Sequence, residues 1–263
     1  MYITTALKHN EKLVEQAIKI SEDLEALFIE REDKPIEVLI EELKNDIFIV
    51  GKEKLFYYSV HSTDPFFFHP NSAMFRVKRL QKDGYDPLIE ASQLQEGMTL
   101  LDCTLGLGSD AIVAQSVVGS AGKVVGIEGS RPIAYIVDKG LKQWDSGNNL
   151  FNQAMRSIQV IQGEHLGILQ RLESNSYDVV YFDPMFETAL ETSQGISPLK
   201  SLALYHTVSV KAIEEAKRVA RKRVVLKDYW KSERFADLGF EVIKRRTAKF
   251  HFGYINLNTD YLK

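Results

Sequence analysis

The sequence predicts an α/β protein whose larger part is a seven-stranded, mostly parallel sheet covered by helices on both faces. From Gly97 onward, short apolar stretches alternate with longer stretches of helical spacing, as expected of strands joined by helices. The last two apolar stretches, 240–248 and 250–257, follow each other without a long helix. We therefore expect an antiparallel hairpin at one edge of the sheet. Residues 1–60 show a mixed pattern instead, which predicts a small α+β unit.

The N-terminal unit carries local signals for both helices and strands. Apolar side chains recur at helical spacing after Asn10, which can cap a helix, and Pro35 can open a second helix at its first turn. Two apolar stretches separated by Gly51 predict a β-hairpin. The predicted elements are strands at 2–7 and 26–30, helices at 10–27 and 35–43, and a hairpin of 47–50 with 55–60.

The pattern changes within residues 60–85, where we expect a domain boundary. This divides the chain into a small N-terminal α+β domain at 1–70, a candidate for substrate recognition, and a larger domain at 71–263. In the larger domain the predicted strands are short and apolar, whereas the predicted helices carry apolar side chains three or four positions apart. The predicted strands are 98–103, 123–127, 158–161, 177–182, 223–227, 240–248 and 250–257. A first helix is predicted to begin near residue 71, and the later helices are 110–118, 132–144, 166–172, 201–221 and 234–238.

The composition is that of an ordinary soluble globular protein. Of the 263 residues, 44% are hydrophobic and 26% are charged, which allows a sizeable core. No apolar run approaches the roughly 18 residues that span a membrane, and the N-terminus lacks the pattern of a secretory signal. We therefore expect a cytoplasmic protein with no membrane partner. The single cysteine, Cys103, excludes an internal disulfide and a cysteine-based zinc site; we interpret it as structural rather than as a thiolate nucleophile, and expect no metal.

The charge is unevenly distributed, although the formal net charge is only −3. Residues 1–50 carry 6 Lys and Arg against 12 Asp and Glu, whereas residues 201–263 carry 14 against 7. A basic C-terminal quarter permits binding to a nucleic acid without requiring it.

A glycine-rich loop follows the first strand of the larger domain, in the stretch LLDCTLGLGSDA at residues 100–111. Gly106 and Gly108 allow the backbone to turn tightly beside a ligand, because glycine lacks the side chain that would obstruct the approach. Glu128 ends the next strand, 20 residues after Gly108, where an acidic side chain receives the ribose hydroxyls of a nucleotide in α/β folds. The stretch therefore predicts a cofactor that contains a nucleoside.

Two classes of cofactor fit this loop. The segment GLGSDA matches the dinucleotide fingerprint G-x-G-x-x-G/A, which favours NAD. However, Asp102 before the loop and Asp110 at the start of the next helix would repel a pyrophosphate, which needs bare N–H groups there. The same two carboxylates would attract the cationic methionine part of S-adenosylmethionine (SAM). They favour SAM, with NAD as the alternative and a glycine turn that binds no ligand as a third interpretation.

The strand at 177–182 ends abruptly in the sequence Asp183-Pro184-Met185-Phe186. By chain order this strand lies beside the first strand, so Asp183 is expected near the glycine loop, at the edge where open α/β sheets bind ligands. DPMF resembles the (Asp/Asn)-Pro-Pro-(Tyr/Phe) motif of amino-group methyltransferases. In that chemistry, Asp183 and the carbonyl of Pro184 accept the N–H bonds of an exocyclic amine, and Phe186 stacks on the base. A turn that simply ends the strand is the structural alternative.

Further residues are candidates for contact with the cofactor or the substrate. Glu164 and His165 follow the third strand, where the adenine of SAM is held, and Glu164 could accept from the adenine amine. Lys227, at the end of a later strand, is a candidate for a phosphate or base contact. Arg76 and Arg79 follow the segment FFFHP and could line a nucleic-acid groove, although a packed interdomain linker explains this segment equally well.

From about His69 to the C-terminus, the chain resembles the RsmJ-type methyltransferases, which modify the exocyclic amine of a guanine in small-subunit ribosomal RNA. It looks closer to a YpiP-like branch found in Gram-positive bacteria. The matching stretches are LDCTLGLGSDA, VVGIEGS, VVYFDPMF and KRVVLKDY, in the same order and at the same spacing. The resemblance implies a class I methyltransferase fold, which is Rossmann-like, with SAM as the cofactor and RNA as the partner. With the loop residues, the candidate cofactor contacts are Asp102, Thr104, Gly106, Gly108, Ser109, Asp110, Glu128, Gly129, Glu164, His165 and Asp183.

The sequence therefore predicts a SAM-dependent N-methyltransferase acting in rRNA processing, on a guanine amine of small-subunit ribosomal RNA or of the subunit. The residues assigned to catalysis are Asp183, Pro184 and Phe186, and those assigned to the substrate are Phe186, Lys227, Arg76 and Arg79. One alternative is a methyltransferase for another amine, on DNA, protein or a small molecule. A second is an NAD-dependent oxidoreductase, which needs a proton donor near Asp183 that we do not identify. A third is a non-catalytic RNA-binding relative, against which the carboxylate of Asp183 argues. The sequence does not specify the oligomeric state.

Overall fold

The computed structural model describes residues 1–7, 10–62, 64–184 and 208–257. Its N-terminal part is a four-stranded sheet with two helices. The strands are β1 (Tyr2–Thr5), β2 (Leu27–Phe28), β3 (Ile47–Val50) and β4 (Leu55–Tyr58), and the helices are α1 (Glu11–Asp23) and α2 (Ile36–Leu43). The strand order is β2-β1-β3-β4, with β1 parallel to β2 and β3, and with β3 antiparallel to β4. The predicted hairpin and the α+β character of this part are confirmed.

The larger part is built on a seven-stranded sheet. Its strands are β5 (Thr99–Asp102), β6 (Lys123–Glu128), β7 (Gln159–Gln162), β8 (Tyr177–Phe182), β9 (Ala220–Tyr229), β10 (Glu241–Ile243) and β11 (Phe250–Asn256). Their order is β10-β11-β9-β8-β5-β6-β7. The strands from β5 to β9 pair in parallel, and β11 is antiparallel to both β9 and β10. The predicted parallel sheet with an antiparallel hairpin at one edge is therefore confirmed.

Helices connect and cover these strands. They are α3 (Asn71–Asp83), α4 (Pro87–Ser92), α5 (Ser109–Val118), α6 (Arg131–Gln143), α7 (Asn149–Ser157), α8 (His165–Leu169), α9 (Val210–Val219) and α10 (Arg234–Asp237). The predicted cap of α1 is confirmed, because the Asn10 side chain accepts from the backbone N–H groups of Lys12 and Leu13.

Some predicted boundaries were wrong. The helix expected at 201–221 ends at Val219 within the described residues, and its segment 201–207 lies outside them. Residues from Ala220 onward join β9 instead, because pairing with β8 and β11 outweighs the helical tendency of a Lys- and Arg-rich stretch. The strand expected at 240–248 covers only Glu241–Ile243. Helices α4 and α7 were not predicted, since both are short and lack a long apolar repeat.

The two sheets share a hydrophobic core, into which Phe66 and Phe68 of the FFFHP segment pack. A Cβ added at Gly140 in α6 would lie 2.1 Å from Cγ of Phe68, so glycine is what lets this segment approach the helix. Tyr135 of the same helix donates to the Asp23 carboxylate of α1 at 3.0 Å. These contacts favour the packed-linker interpretation of FFFHP. A domain boundary after residue 70 stays a prediction.

Among the helices that the structure describes, none is both long enough and apolar enough to cross a lipid bilayer.

Candidate active site

The glycine loop joins β5 to α5 at the carboxyl edge of the seven-stranded sheet. Gly106 and Gly108 have φ angles of 51° and 72°, in the left-handed region that other residues rarely adopt. The loop lies against β6 at Gly126, where an added Cβ would come within 2.3 Å of Leu105. The predicted strand, glycine turn and helix are therefore present, and the turn depends on glycine both in the loop and on the neighbouring strand.

Glu128 ends β6 with its carboxylate directed at the glycine loop. It accepts from the backbone N–H of Gly106 at 3.1 Å and from that of Ser130 at 2.9 Å. Burial raises the pKa of Glu128, while these N–H groups oppose the rise. Gly129 follows directly in the chain. The end of β6 thus offers a partly buried carboxylate beside the loop.

Glu164 and His165 lie where β7 leads into α8. The Glu164 carboxylate caps this short helix and accepts from the backbone N–H groups of Leu166 and Gly167, each at 2.8 Å. The His165 ring is buried and meets Phe182 edge-on, with 5.8 Å between ring centroids. Both residues therefore contact other parts of the protein at the carboxyl end of β7, where we predicted contacts with the adenine.

Asp183 directly follows β8 and is held from two sides. Its carboxylate accepts from the Lys227 ammonium, with 2.5 Å between Oδ2 and Nζ. Its backbone N–H donates to the Thr104 hydroxyl at 2.6 Å, and that hydroxyl lies 3.3 Å from Oδ1 of Asp102. The ends of β5 and β8 therefore meet at Asp183, as predicted from the strand order, and Lys227 of β9 lies beside them. Phe186 lies outside the described residues.

Arg76 of α3 ties the start of α5 to the loop before α4. Its guanidinium donates to both Asp86 oxygens, at 2.8 and 2.9 Å, and to Oδ1 of Asp110 at 2.5 Å. The other oxygen of Asp110 accepts from the Tyr181 hydroxyl at 3.1 Å and lies 3.4 Å from Lys227 Nζ. The Arg76 guanidinium is therefore engaged by two buried carboxylates, Asp86 and Asp110.

Burial sets the protonation of these groups. It raises the pKa of Asp102 to about 8, with repulsion from Asp110 and Asp183 adding to the rise. It also raises the pKa of Asp183 to about 6, although Lys227 opposes the rise. Burial acts on Asp110 too, but Lys227 and Arg76 outweigh it and lower the pKa of this carboxyl. Asp110 and Asp183 outweigh the effect of burial on Lys227 and raise its pKa, so the ammonium stays charged.

The arrangement suits a cationic ligand better than an anionic one. Asp102, Asp110 and Asp183 surround the glycine loop, and the Glu128 carboxylate already accepts the loop N–H that a phosphate would seek. A sulfonium or ammonium group beside Asp102 and Asp183 would favour their ionised forms and lower the pKa values that burial raises. The residues present therefore fit SAM. In the described part of the chain, no group of three His, Cys, Asp or Glu side chains could hold a metal ion.

Most of the predicted site residues lie together, and two neighbours were missed. Asp102, Thr104, Ser109 and Asp110 adjoin the glycine loop, and Lys227 contacts Asp183. Arg79 is half-exposed, 3.6 Å from Asp86. The missed residues are Asp86 and Tyr181. The Asp86-Pro87 pair was a recognisable helix start, but no sequence signal links Tyr181 to Asp110.

Comparison with known proteins identifies the family. The model of the family described as "Putative SAM-dependent methyltransferase" matches residues 59–251. The chain is 46% identical to the protein YpiP of Bacillus subtilis (strain 168) over 253 residues, which are 96% of this chain and 98% of that protein. It is 30% identical over 167 residues to the ribosomal RNA small subunit methyltransferase J of Acinetobacter baumannii (strain AYE). This second match spans 58% of each protein.

The fold has a counterpart among solved structures. The crystal structure of a SAM-dependent methyltransferase from Neisseria gonorrhoeae aligns with a TM-score of 0.65 over 98% of this chain and 97% of that chain, at 16% sequence identity. The likeness extends over both sheets, and the relatives support an RsmJ-like class. The chain therefore belongs to this family of SAM-dependent methyltransferases, and S-adenosylmethionine is the cofactor that its family and fold imply.

Proposed function

We propose that this protein methylates an exocyclic guanine amine in small-subunit ribosomal RNA. The observation that carries the proposal is the position of Asp183-Pro184 at the end of β8, level with the glycine loop and held by Lys227 and Thr104. Bound SAM supplies an electrophilic methyl group. Two acceptors at this point would hold an amine substrate beside the bound cofactor, which is the arrangement that methyl transfer to an amine requires.

Asp183 and the Pro184 carbonyl accept the two N–H bonds of the amine in this proposal. An exocyclic amine on a base is a poor nucleophile, because its lone pair is delocalised into the ring. Two converging acceptors favour a pyramidal nitrogen, whose lone pair can attack. Pro184 fixes the backbone between the acceptors, and Phe186 stacks on the base. Lys227 acts as a positioning residue that orients the Asp183 carboxylate through their ion pair.

The cofactor is held by the edge of β5, β6 and β7. Glu128 receives the ribose hydroxyls, Glu164 lies toward the adenine, and Asp102 lies toward the methionine ammonium. The remaining proposed contacts are Thr104, Gly106, Gly108, Ser109, Asp110, Gly129, His165 and Asp183. The family implies SAM rather than NAD, and we assign the GLGSDA loop to that cofactor.

Ribosomal RNA as the substrate is supported by the relatives named ribosomal RNA small subunit methyltransferase J. The match to the Acinetobacter baumannii (strain AYE) relative spans 58% of this chain. We propose that the N-terminal domain at 1–70 adapts the same chemistry to this protein's own substrate. A ribosomal substrate places the enzyme in the cytoplasm. Arg79 and Lys227 are the basic side chains that we assign to this RNA, whereas we assign Arg76 a positioning role.

The proposal is tested by incubating the protein with methyl-labelled SAM and total RNA from a host that lacks the gene. Label in small-subunit ribosomal RNA, located on a guanine amine and lost with Asp183→Ala, is the expected result. Assembled subunits, DNA and protein from the same host are tested in parallel. Label in one of those fractions and not in RNA would refute the ribosomal assignment.

A further inference from the structure

A patch of aromatic and basic side chains lies at the carboxyl edge of the seven-stranded sheet. We call it the Trp230 patch. Two of its residues follow directly after β9, and the other four lie in the turn between β10 and β11. The patch consists of Trp230, Lys231, Lys244, Arg245, Arg246 and Lys249.

Strand register places the first part of the patch beside the candidate active site. Phe182 pairs with Leu226 in the parallel ladder, so Asp183 lies level with Lys227. Tyr229 continues β9 two residues farther toward the same edge. The residues after Tyr229 therefore emerge on the side of the sheet where the amine substrate is proposed to bind.

The turn between β10 and β11 lies at this same edge. Phe250, the first residue of β11, pairs with Tyr229 in the antiparallel ladder. The preceding residues, 244–249, consequently lie beyond the end of β9. The backbone N–H of Trp230 donates to the carbonyl of Lys249 at 3.1 Å, which joins the two parts of the patch.

Trp230 presents its ring at the surface. The residue is 48% exposed, the Lys231 ammonium lies 4.7 Å from the ring centroid, and the Tyr229 ring is 6.0 Å away. Proteins that bind single-stranded nucleic acids use exposed aromatic rings as stacking platforms, with cations beside them. The ring and its neighbours have this combination.

The patch is strongly positive. Residues 229–233 and 244–249 contain five Lys or Arg against one carboxylate, Glu233, a balance of +4. The nearest carboxylate along β9, Asp228, is fully buried and paired with Arg234 at 2.7 Å, so it does not neutralise the surface. A polyanion is the complementary partner.

We propose that the Trp230 patch binds the unpaired RNA strand beside the target guanine, with Trp230 stacked on a flanking base and the turn cations paired with phosphates. The inference rests on the proposed function, because it takes RNA as the substrate of the same site. Three residues at about 3.3 Å each separate Lys227 from Trp230 along β9, or about 10 Å. Nucleotides that flank an extruded base can bridge this distance.

The test measures RNA affinity by fluorescence anisotropy with a labelled single-stranded oligoribonucleotide of about 20 nucleotides. This length exceeds the roughly 4–16 nucleotides that one binding domain covers. One variant removes three charges from the turn, and a matched control removes three from the opposite edge of the sheet. The control residues include Arg221 and Lys222 at the start of β9, which are half-exposed. The variants are Lys244→Gln/Arg246→Gln/Lys249→Gln and, as the control, Lys217→Gln/Arg221→Gln/Lys222→Gln.

The turn variant is expected to bind RNA more than about tenfold more weakly than wild type, with the control within about twofold. Each phosphate contact contributes about 0.7 to the slope of log K against log salt for single strands, so the slope should fall by about 2. Trp230→Ala should weaken binding about tenfold, and Trp230→Phe should restore most of the loss because a phenyl ring also stacks.

The proposal would be overturned if the turn variant and the control variant lost RNA affinity equally, or if neither lost any. It would also be overturned if the wild-type protein did not bind the oligoribonucleotide. The location of the methyl label separates this failure from that of the proposed function. If wild type labels RNA while the turn variants bind normally, only the Trp230 patch is refuted. If the label appears on another class of substrate, the proposed function fails first.

Discussion

Replacing Arg76 with methionine tests how the candidate site is held together. The guanidinium makes two hydrogen bonds to Asp86 and one to Asp110, and the Asp86 side chain has no exposure to solvent. Arg76→Met keeps the apolar stem and leaves both carboxylates without their shared cation. Breaking a buried ion pair in this way costs about 3–5 kcal/mol. We expect the free energy of unfolding to fall by that amount, measured by urea denaturation at neutral pH.

Arg79→Met is the matched control on the same helix. Arg79 approaches the same carboxylate at 3.6 Å, but its side chain is 39% exposed. Solvent screens such a pair, so its loss should cost less than about 1 kcal/mol. Similar losses in the two variants would show that burial of the Arg76 contacts does not decide the energy.

The dependence on pH gives a second check on Arg76. Lys227 and Arg76 outweigh burial and hold the pKa of Asp110 below its ordinary value. A lowered carboxyl pKa contributes stability that is present above the unfolded pKa of about 4 and is lost as the pH falls through the folded value. The difference between wild type and Arg76→Met should therefore be largest near neutral pH and shrink below about pH 4. A loss under about 1 kcal/mol, or one independent of pH, would refute the reasoning.

Two further predictions concern the carboxylates at the strand ends. Burial raises the pKa of Asp102 to about 8, so the folded state retains a proton that the unfolded state releases near pH 4. The free energy of unfolding therefore falls as the pH rises from about 4 to about 8. Asp102→Asn has no such titration. The difference in unfolding free energy between this variant and wild type, measured by urea denaturation, should therefore change by roughly 2–3 kcal/mol in favour of the variant from pH 5 to pH 7. A difference that stays constant with pH would contradict the raised pKa. Burial raises the pKa of Asp183 to about 6 against the effect of Lys227, so kcat/KM should rise as the pH passes that value and Asp183 ionises. In Lys227→Gln the midpoint of the pH profile should move upward by about one unit or more, and an unmoved midpoint would show that Lys227 does not act through Asp183.

The strand ladder of the larger part was predictable because each strand is a short apolar stretch with a clear boundary. The edge hairpin was predictable for the same reason, since no long helix separates β10 from β11. The start of β9 was not predictable. The predicted strand began at Arg223, and residues 220 and 221 were assigned to the end of the preceding helix. Pairing with β8 extends the strand back to Ala220.

The site was predictable where it depends on chain order and not where it depends on distant partners. The glycine loop and Asp183 each follow a strand, and parallel strands bring their carboxyl ends to one edge. Arg76 was assigned to the substrate because it is basic and close to an aromatic segment. Its contact with Asp110 spans 34 positions and arises only when α3 packs on α5. Nothing local in the sequence distinguishes such an arginine from one that is free to bind RNA.

Single-turnover methyl transfer by Asp183→Ala tests the central claim most directly. The variant removes the side-chain oxygens that accept the amine N–H, whereas an asparagine would keep one such acceptor. Each 1.36 kcal/mol of lost transition-state stabilisation is a tenfold loss of rate, and we expect a loss of about a hundredfold or more. Affinity for S-adenosylhomocysteine should stay within about fivefold of wild type, showing an intact cofactor site. A variant that transfers methyl within about tenfold of the wild-type rate would contradict the role of Asp183 as the acceptor of the amine.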